Sequence, residues 1–229
     1  MIFHPLESGT SVEGNEIEAF RTDVKSKKHI YLIGGTHGDE VEGVYVLKQL
    51  FDWLKSDHSL EEMPLVVVPI LNVDGYRAGT RVNSHAVDLN RNYPSSNWSE
   101  QIRKPKYNPG PSALSEPENK FLIKLFNKFK PGFVLSFHSW KPLLNFNGDA
   151  KEVAEYLSGY NSYETVPDIG YPTPGSLGTF VPETYDCGVL TFECPTLDGD
   201  LSLKKIWEDN ETGLKGLMKS DLLKAKVEK

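Results

Sequence analysis

The chain has 229 residues, enough for one domain with a sizeable core and few for two. With 38% hydrophobic and 25% charged residues its composition is globular and excludes disorder, and a formal net charge of -7 argues against a nucleic-acid partner, which needs a basic face. No apolar run approaches the ~18 residues of a membrane helix.

The first fourteen residues, MIFHPLESGTSVEG, show no basic stretch followed by an apolar one, so no export signal is read and the cytoplasm is expected. In that compartment Cys187 and Cys194 read as two buried thiols rather than a disulfide. No repeat or low-complexity tract marks a boundary, so residues 1–229 read as a single domain. Ile30 to Ile33 is a short apolar run that reads as a buried strand ending at Gly34-Gly35. From Glu40 to about Lys55, Val44, Leu47, Leu50, Phe51 and Leu54 recur at helical spacing. Leu65 to Leu71 is a continuous β-branched run, as in a strand covered on both faces. Residues 72–115 then show no sustained period, and a stretch of that kind in a compact domain is usually functional.

Regular structure resumes at Ser115, which with Glu118 forms a capping-box pattern ahead of the apolar face Phe121, Leu122, Leu125, Phe126 and Phe129. Pro131-Gly132 is expected to end that helix, and Phe133 to Phe137 to form a strand that delivers His138. A helix over about 150–160, a Gly/Pro-rich loop, a strand from Val189 to Phe192 and a helix over about 200–224 complete the chain. Strands alternating with helices imply an α/β domain with helices on both faces of a mostly parallel or mixed sheet.

His37-Gly38-Asp39-Glu40 falls where a strand gives way to a helix, and residues three apart on a first helical turn share a face. Alone, this pattern equally describes a turn histidine and an acid favoured by the helix dipole. His138 strengthens it, because it follows the apolar strand GFVLSF and is aimed at the sheet edge where open α/β folds bind ligands. His85 and His29 compete for the third place, while His4 and His58 read as surface residues. Two His, one Glu and an open fourth position form the ligand set of a catalytic zinc site. Hydrolysis there needs a base, and Glu193, at the end of the strand VLTF, is the candidate; a salt bridge or a cap is the alternative reading of a carboxylate so placed. Arg77, Arg81 and Arg91 lie near Asp88, Asn90 and Asn92, and guanidinium groups of this kind grip carboxylates or stabilise an oxyanion, or are simply solvated. Asp88 is suited to orient a metal-bound His from behind.

GGTHGDE, LNVDG, VDLNRNYP, SFHSW and TFECP stand in the order found in zinc carboxypeptidases of the M14 type, and the resemblance runs from about Ile30 to Pro195. It implies a three-layer α/β/α fold with a mixed parallel and antiparallel sheet, and one Zn²⁺ per chain. It implies that His37, Glu40 and His138 are the metal ligands, with Asp88 supporting the first. Glu193 is then the general base and Arg81 the residue that polarises the scissile carbonyl. Asn90 and Arg91 hold the substrate's terminal carboxylate, and Tyr171, 22 residues before Glu193, is the tyrosine that closes over bound peptide.

Further segments, TRVNSHAVDLNRNYPSSNW, SEPEN and GYPTPGSLGTF, resemble the cell-wall peptide amidases of that family. They imply hydrolysis of the bond between γ-D-glutamate and meso-diaminopimelate in a murein tripeptide. Separately, charge and hydropathy lead to no nucleic-acid or membrane partner being expected, and a monomer or weak dimer is expected. An L,D- or D,L-carboxypeptidase of wall peptides, an acylase of the succinylglutamate desuccinylase or aspartoacylase type, and a non-catalytic peptide-binding module are the competing readings. Two departures stand out: NVDG replaces the usual NPDG, and SFHSW replaces SFHDP beside the metal. Asp168, Glu183 and Asp186 are the candidate partners for the diaminopimelate ammonium.

Overall fold

A computed structural model describes residues 1–57 and 63–228; His58 lies outside the described residues. In chain order the elements are β1 (Phe3–Pro5), β2 (Gly9–Thr10), β3 (Glu16–Ile17), β4 (Phe20–Thr22), β5 (His29–Ile33), α1 (Val41–Ser56), β6 (Leu65–Val68) and α2 (Val73–Ala78). There follow α3 (Pro117–Lys128), β7 (Pro131–Trp140), β8 (Leu143–Asn147), α4 (Lys151–Asn161), β9 (Glu164–Val166), α5 (Leu177–Tyr185), β10 (Gly188–Pro195), α6 (Leu203–Lys219) and α7 (Asp221–Glu228). Among the described residues, eight strands form one sheet in the order β1-β4-β6-β5-β7-β10-β8-β9, while β2 and β3 pair with each other. The central strands β6, β5, β7 and β10 are parallel, and β1, β4 and β8 pair antiparallel with their inner neighbours. This is the expected mixed sheet of a single α/β/α domain.

Period-two alternation in the buried strands sorts the core into two layers. Ile30, Leu32, Phe133, Leu135, Phe137, Leu190 and Phe192 face the layer built from α1, α4, α6 and α7. Tyr31, Ile33, Val134 and Val189 face the layer that includes α3 and α5. The same alternation turns His138 and Glu193 away from the α1 side, and they stand as register partners on adjacent parallel strands. Gly43 lets α1 lie close: a Cβ there would meet the backbone N and O of His138 at 2.9 Å.

Several elements depart from the sequence-based expectations. β6 stops at Val68, because Pro69 has no N–H to continue the ladder. The 72–115 stretch is largely irregular as expected, but it holds α2, capped by Asn72 Oδ1 on the Gly75 N–H and closed by left-handed Gly79. Two short 3-10 turns also interrupt it, at Leu89–Arg91 and Pro105–Tyr107. The capping box does not form. Glu116 takes the N-cap position without a side-chain cap, and Glu118 is buried, accepting from Asn83 Nδ2 at 3.1 Å and the Val12 N–H at 3.5 Å. Pro131-Gly132 opens β7 rather than closing α3, which ends at Lys128, and β7 runs on through His138 to Trp140. The C-terminal helix is broken at Ser220 into α6 and α7. Cys187 and Cys194 are buried free thiols, and no described helix is long and apolar enough to cross a membrane.

Candidate active site

His37 and Glu40 lie in the turn before α1 rather than on its first helical turn; the Glu40 N–H reaches the His37 carbonyl at 3.4 Å, and Glu40 is the helix N-cap. The turn brings His37 Nδ1 to 2.7 Å from Glu40 Oε1. β7 brings His138 Nδ1 to 2.7 Å from Glu40 Oε2 and 3.2 Å from His37 Nδ1. All three ligand atoms lie within 4.8 Å of one another. Two imidazole nitrogens on one tetrahedral zinc, each about 2.0–2.1 Å from it, are roughly 3.3 Å apart, so the donor set fits such an ion. The far ring nitrogens are also engaged: His37 Nε2 lies 3.0 Å from Asp88 Oδ1 and His138 Nε2 3.1 Å from Ser136 Oγ, which turns both Nδ1 atoms inward.

Electrostatics reinforce the cluster. Burial opposes charge on Glu40, yet the two imidazoles hold its carboxyl well below the usual range. Burial likewise opposes ionisation of Asp88, and His37, Arg81 and Arg91 together hold it ionised. His37 is raised despite its burial, through Glu40 and Asp88. Arg81 bridges both acids, with Nη1 at 2.9 Å from Glu40 Oε1 and Nε at 3.1 Å from Asp88 Oδ2. A guanidinium has five N–H donors, so this leaves others for the cleft that Arg81 lines.

Glu193 behaves otherwise. It is buried, its Oε2 has no hydrogen-bond partner, and it makes no ion pair among the described residues, so neither the salt bridge nor the cap reading fits. Burial, aided by the nearby Glu40 charge, pushes its carboxyl up to about 7 against the opposing pull of His138 and Arg81.

A cleft of about 630 Å³ opens over these groups, lined also by Asn90, Arg91 and Tyr171. Asn90 and Arg91 are fixed by the opposite loop: Asn90 Oδ1 accepts from the Leu177 N–H at 2.8 Å, and Gly175 crosses so close to Arg91 that a Cβ would sit 2.2 Å from its carbonyl oxygen. Tyr171 is half-buried between Tyr107 and Trp140, with ring centroids 6.2 and 5.8 Å away. Every predicted site residue except Asp88 lines this cleft, and Asp88 sits directly behind His37.

The rival histidines lie elsewhere. His29 is buried against Phe129, while His85 is mostly exposed and paired with Glu116. Arg77 is an exposed residue bonded to Asn15, and Asn92 is buried and ties the 109–115 backbone. Of the candidate ammonium partners, Asp168 lines the cleft, whereas Glu183 accepts from the Ser96 N–H and hydroxyl and Asp186 closes α5 in a left-handed conformation. Sequence reasoning missed Trp140 and the basic stretch Arg103, Lys104 and Lys106 on the cleft wall. Trp140 was legible only as a departure from the family pattern, and the basic stretch carried no signal of its own.

The zinc carboxypeptidase family model matches residues 2–194. The chain belongs to the zinc carboxypeptidase family. It is 32% identical to murein peptide amidase A of Vibrio campbellii over 88% of this chain and 83% of that protein, and 30% identical to murein peptide amidase A of Escherichia coli over 86% and 84%. The crystal structure of murein-tripeptide amidase from Escherichia coli O157 superposes with a TM-score of 0.77 at 27% identity, covering 93% of this chain and 90% of that one. The chain is thus a zinc-dependent hydrolase, and His37, Glu40 and His138 are grouped as a possible site for its metal.

Proposed function

We propose that this enzyme hydrolyses the amide bond between γ-D-glutamate and meso-diaminopimelate in murein tripeptide, as part of cell-wall peptide turnover. The observation that carries the reading is the juxtaposition of a three-donor metal cluster with a buried, unpaired Glu193 in a cleft that also holds Arg91. The two amidases of the same name, each alike over most of the chain, support the choice of bond.

In this mechanism His37, Glu40 and His138 hold the zinc, which when bound supplies Lewis acidity and an acidified water. Glu193 accepts the proton of the attacking water and returns it to the leaving nitrogen. Arg81, oriented by Glu40 and Asp88, donates to the carbonyl oxygen as negative charge develops on it. Asn90 and Arg91 hold the terminal carboxylate and so set which amide reaches the metal, while Tyr171 covers the bound peptide. All these groups come from one chain, and the working unit is taken as a monomer or weak dimer. The compartment is taken as the cytoplasm, which suits two free thiols.

Incubation with defined wall peptides, followed by mass spectrometry, tests the reading. The tripeptide is expected to release free diaminopimelate, a chelator to stop the reaction and added zinc to restore it. Removal of a different residue would assign a wall-peptide carboxypeptidase instead, and cleavage of N-acyl amino acids alone an acylase.

Asp88→Asn tests the support behind His37. The amide keeps the size but loses the charge, so zinc affinity is expected to fall about 10–100-fold. Competition with a chelating dye measures it, and an unchanged affinity would remove Asp88 from the metal site.

A further inference from the structure

The chain is acidic overall, at -7, yet the cleft wall carries Arg81, Arg91, Arg103, Lys104 and Lys106 against only Glu40, Asp168 and Glu193. Arg81 is matched by Glu40 and Asp88. Arg91 and Arg103 make no ion pair among the described residues, although Arg91 is only 4% exposed. Both arginines line the main cleft, and both also line a small niche of about 20 Å³ beside it, together with Tyr107, Pro172 and Pro174. Tyr107 forms the surface between the cations: the Arg91 guanidinium lies 5.3 Å and Lys106 Nζ 5.2 Å from its ring centre. The niche is lined by both arginines and by no carboxylate, so their like charges repel each other there, and an entering anion relieves that repulsion.

One terminal carboxylate, held by Arg91, leaves Arg103 without a counter-charge. We infer that Arg103 reads a second carboxylate, carried by the side chain of the same substrate residue whose terminal carboxylate Arg91 holds. Its planar fork suits a carboxylate better than Lys104 does. The inference rests on the wall-peptide reading, because the far end of diaminopimelate bears such a group, whereas lysine lacks the second carboxylate at the same chain length. Arg103 touches no reacting atom and acts on binding, so its effect belongs in KM more than in kcat.

The test compares the wild type with Arg103→Gln and Arg103→Lys on three tripeptides: one ending in meso-diaminopimelate, one ending in lysine, and one with the glutamyl α-carboxylate replaced by an amide. Arg103→Gln is expected to lower kcat/KM about tenfold on the diaminopimelate peptide, mostly through KM, and to change the lysine peptide less than about twofold. Arg103→Lys is expected to recover part of the loss. Equal losses on the first two peptides, or none on either, would overturn the inference. So would a loss that disappears with the glutamyl amide, which would place the second carboxylate on the other side of the scissile bond. If the wild type turns over no wall peptide, the proposed function fails instead. Calorimetric titration of the zinc-loaded protein with free diaminopimelate and free lysine then decides on Arg103: a preference for diaminopimelate that Arg103→Gln removes upholds it, and no such preference overturns it.

Discussion

Replacing Glu193 with Gln is expected to cut turnover by about 10²- to 10⁴-fold while leaving zinc bound, because the amide keeps the shape of the side chain but cannot accept a proton. β10 presents Glu193 opposite His138 in register, on the cleft side of the sheet. Glu193 is not among the three grouped donors, so the metal cluster does not depend on it. Initial rates on the tripeptide and metal content by atomic absorption separate the two roles. Near-normal activity would remove Glu193 as the base, and loss of zinc would make it a ligand.

The same substitution has a second consequence in the metal-free protein. Glu193 is held at about 7 when folded and titrates near 4.5 when unfolded. The folded state therefore binds more protons than the unfolded state between those values. The stabilising contribution is full below about 4.5, declines as pH rises and is gone above about 7. A neutral Gln has no such dependence. The metal-free variant is therefore expected to gain stability relative to the wild type as pH rises through this window, reaching on the order of 3 kcal/mol at pH 8. Urea denaturation of chelator-treated protein at pH 5 and pH 8 measures the difference. A gap that does not widen with pH would mean that Glu193 ionises normally. The cost of holding an unpaired carboxylate in a buried position is what a base ready for proton transfer requires.

The side chains that gather at the cleft were legible as a group because each follows an apolar strand or lies in a short ordered motif, and strand alternation then points them to one side of the sheet. His138 and Glu193 illustrate this: GFVLSF and VLTF already imply that both are delivered by central strands. Elements with no such period were not legible. β2 and β3 are two residues each, and α5 hides in a loop rich in Gly and Pro, with Pro182 inside the helix itself. The capping box failed for a tertiary reason, since Glu118 is drawn into a buried contact with Asn83, 35 residues away in sequence. Arg103 escaped because its place on the cleft wall is set by the path of the irregular stretch around it, and no local pattern encodes that path.

The close approach of the glycine motifs was also hidden in the sequence, and it supports the largest structural effect expected here. Gly38, inside HGDE, lies directly against Gly75 of NVDG: a Cβ on Gly38 would sit 2.0 Å from the Gly75 carbonyl carbon and 2.2 Å from the Tyr76 nitrogen. Both obstacles are backbone, so no rotamer change relieves them. Movement on the other side is blocked as well. Gly75 is fixed by the Asn72 cap, and Asn72 Nδ2 reaches the Arg81 carbonyl at 3.2 Å, while the Gly38 N–H points to that same carbonyl at 3.4 Å. Gly38→Ala must therefore displace the turn carrying His37 and Glu40, or α2 together with the chain leading to Arg81. Overpacking in a tight core costs about 1–3 kcal/mol and more where nothing can give, so about 3 kcal/mol or more is expected, with weakened zinc binding. Asp39→Ala, one residue on, keeps Gly38 and is expected to change stability by less than about 0.5 kcal/mol. Urea midpoints of both variants, with zinc titrations, check the contrast. Equal stability of the two would mean that the HGDE turn can move away from NVDG, and that the position of the metal donors does not depend on this contact.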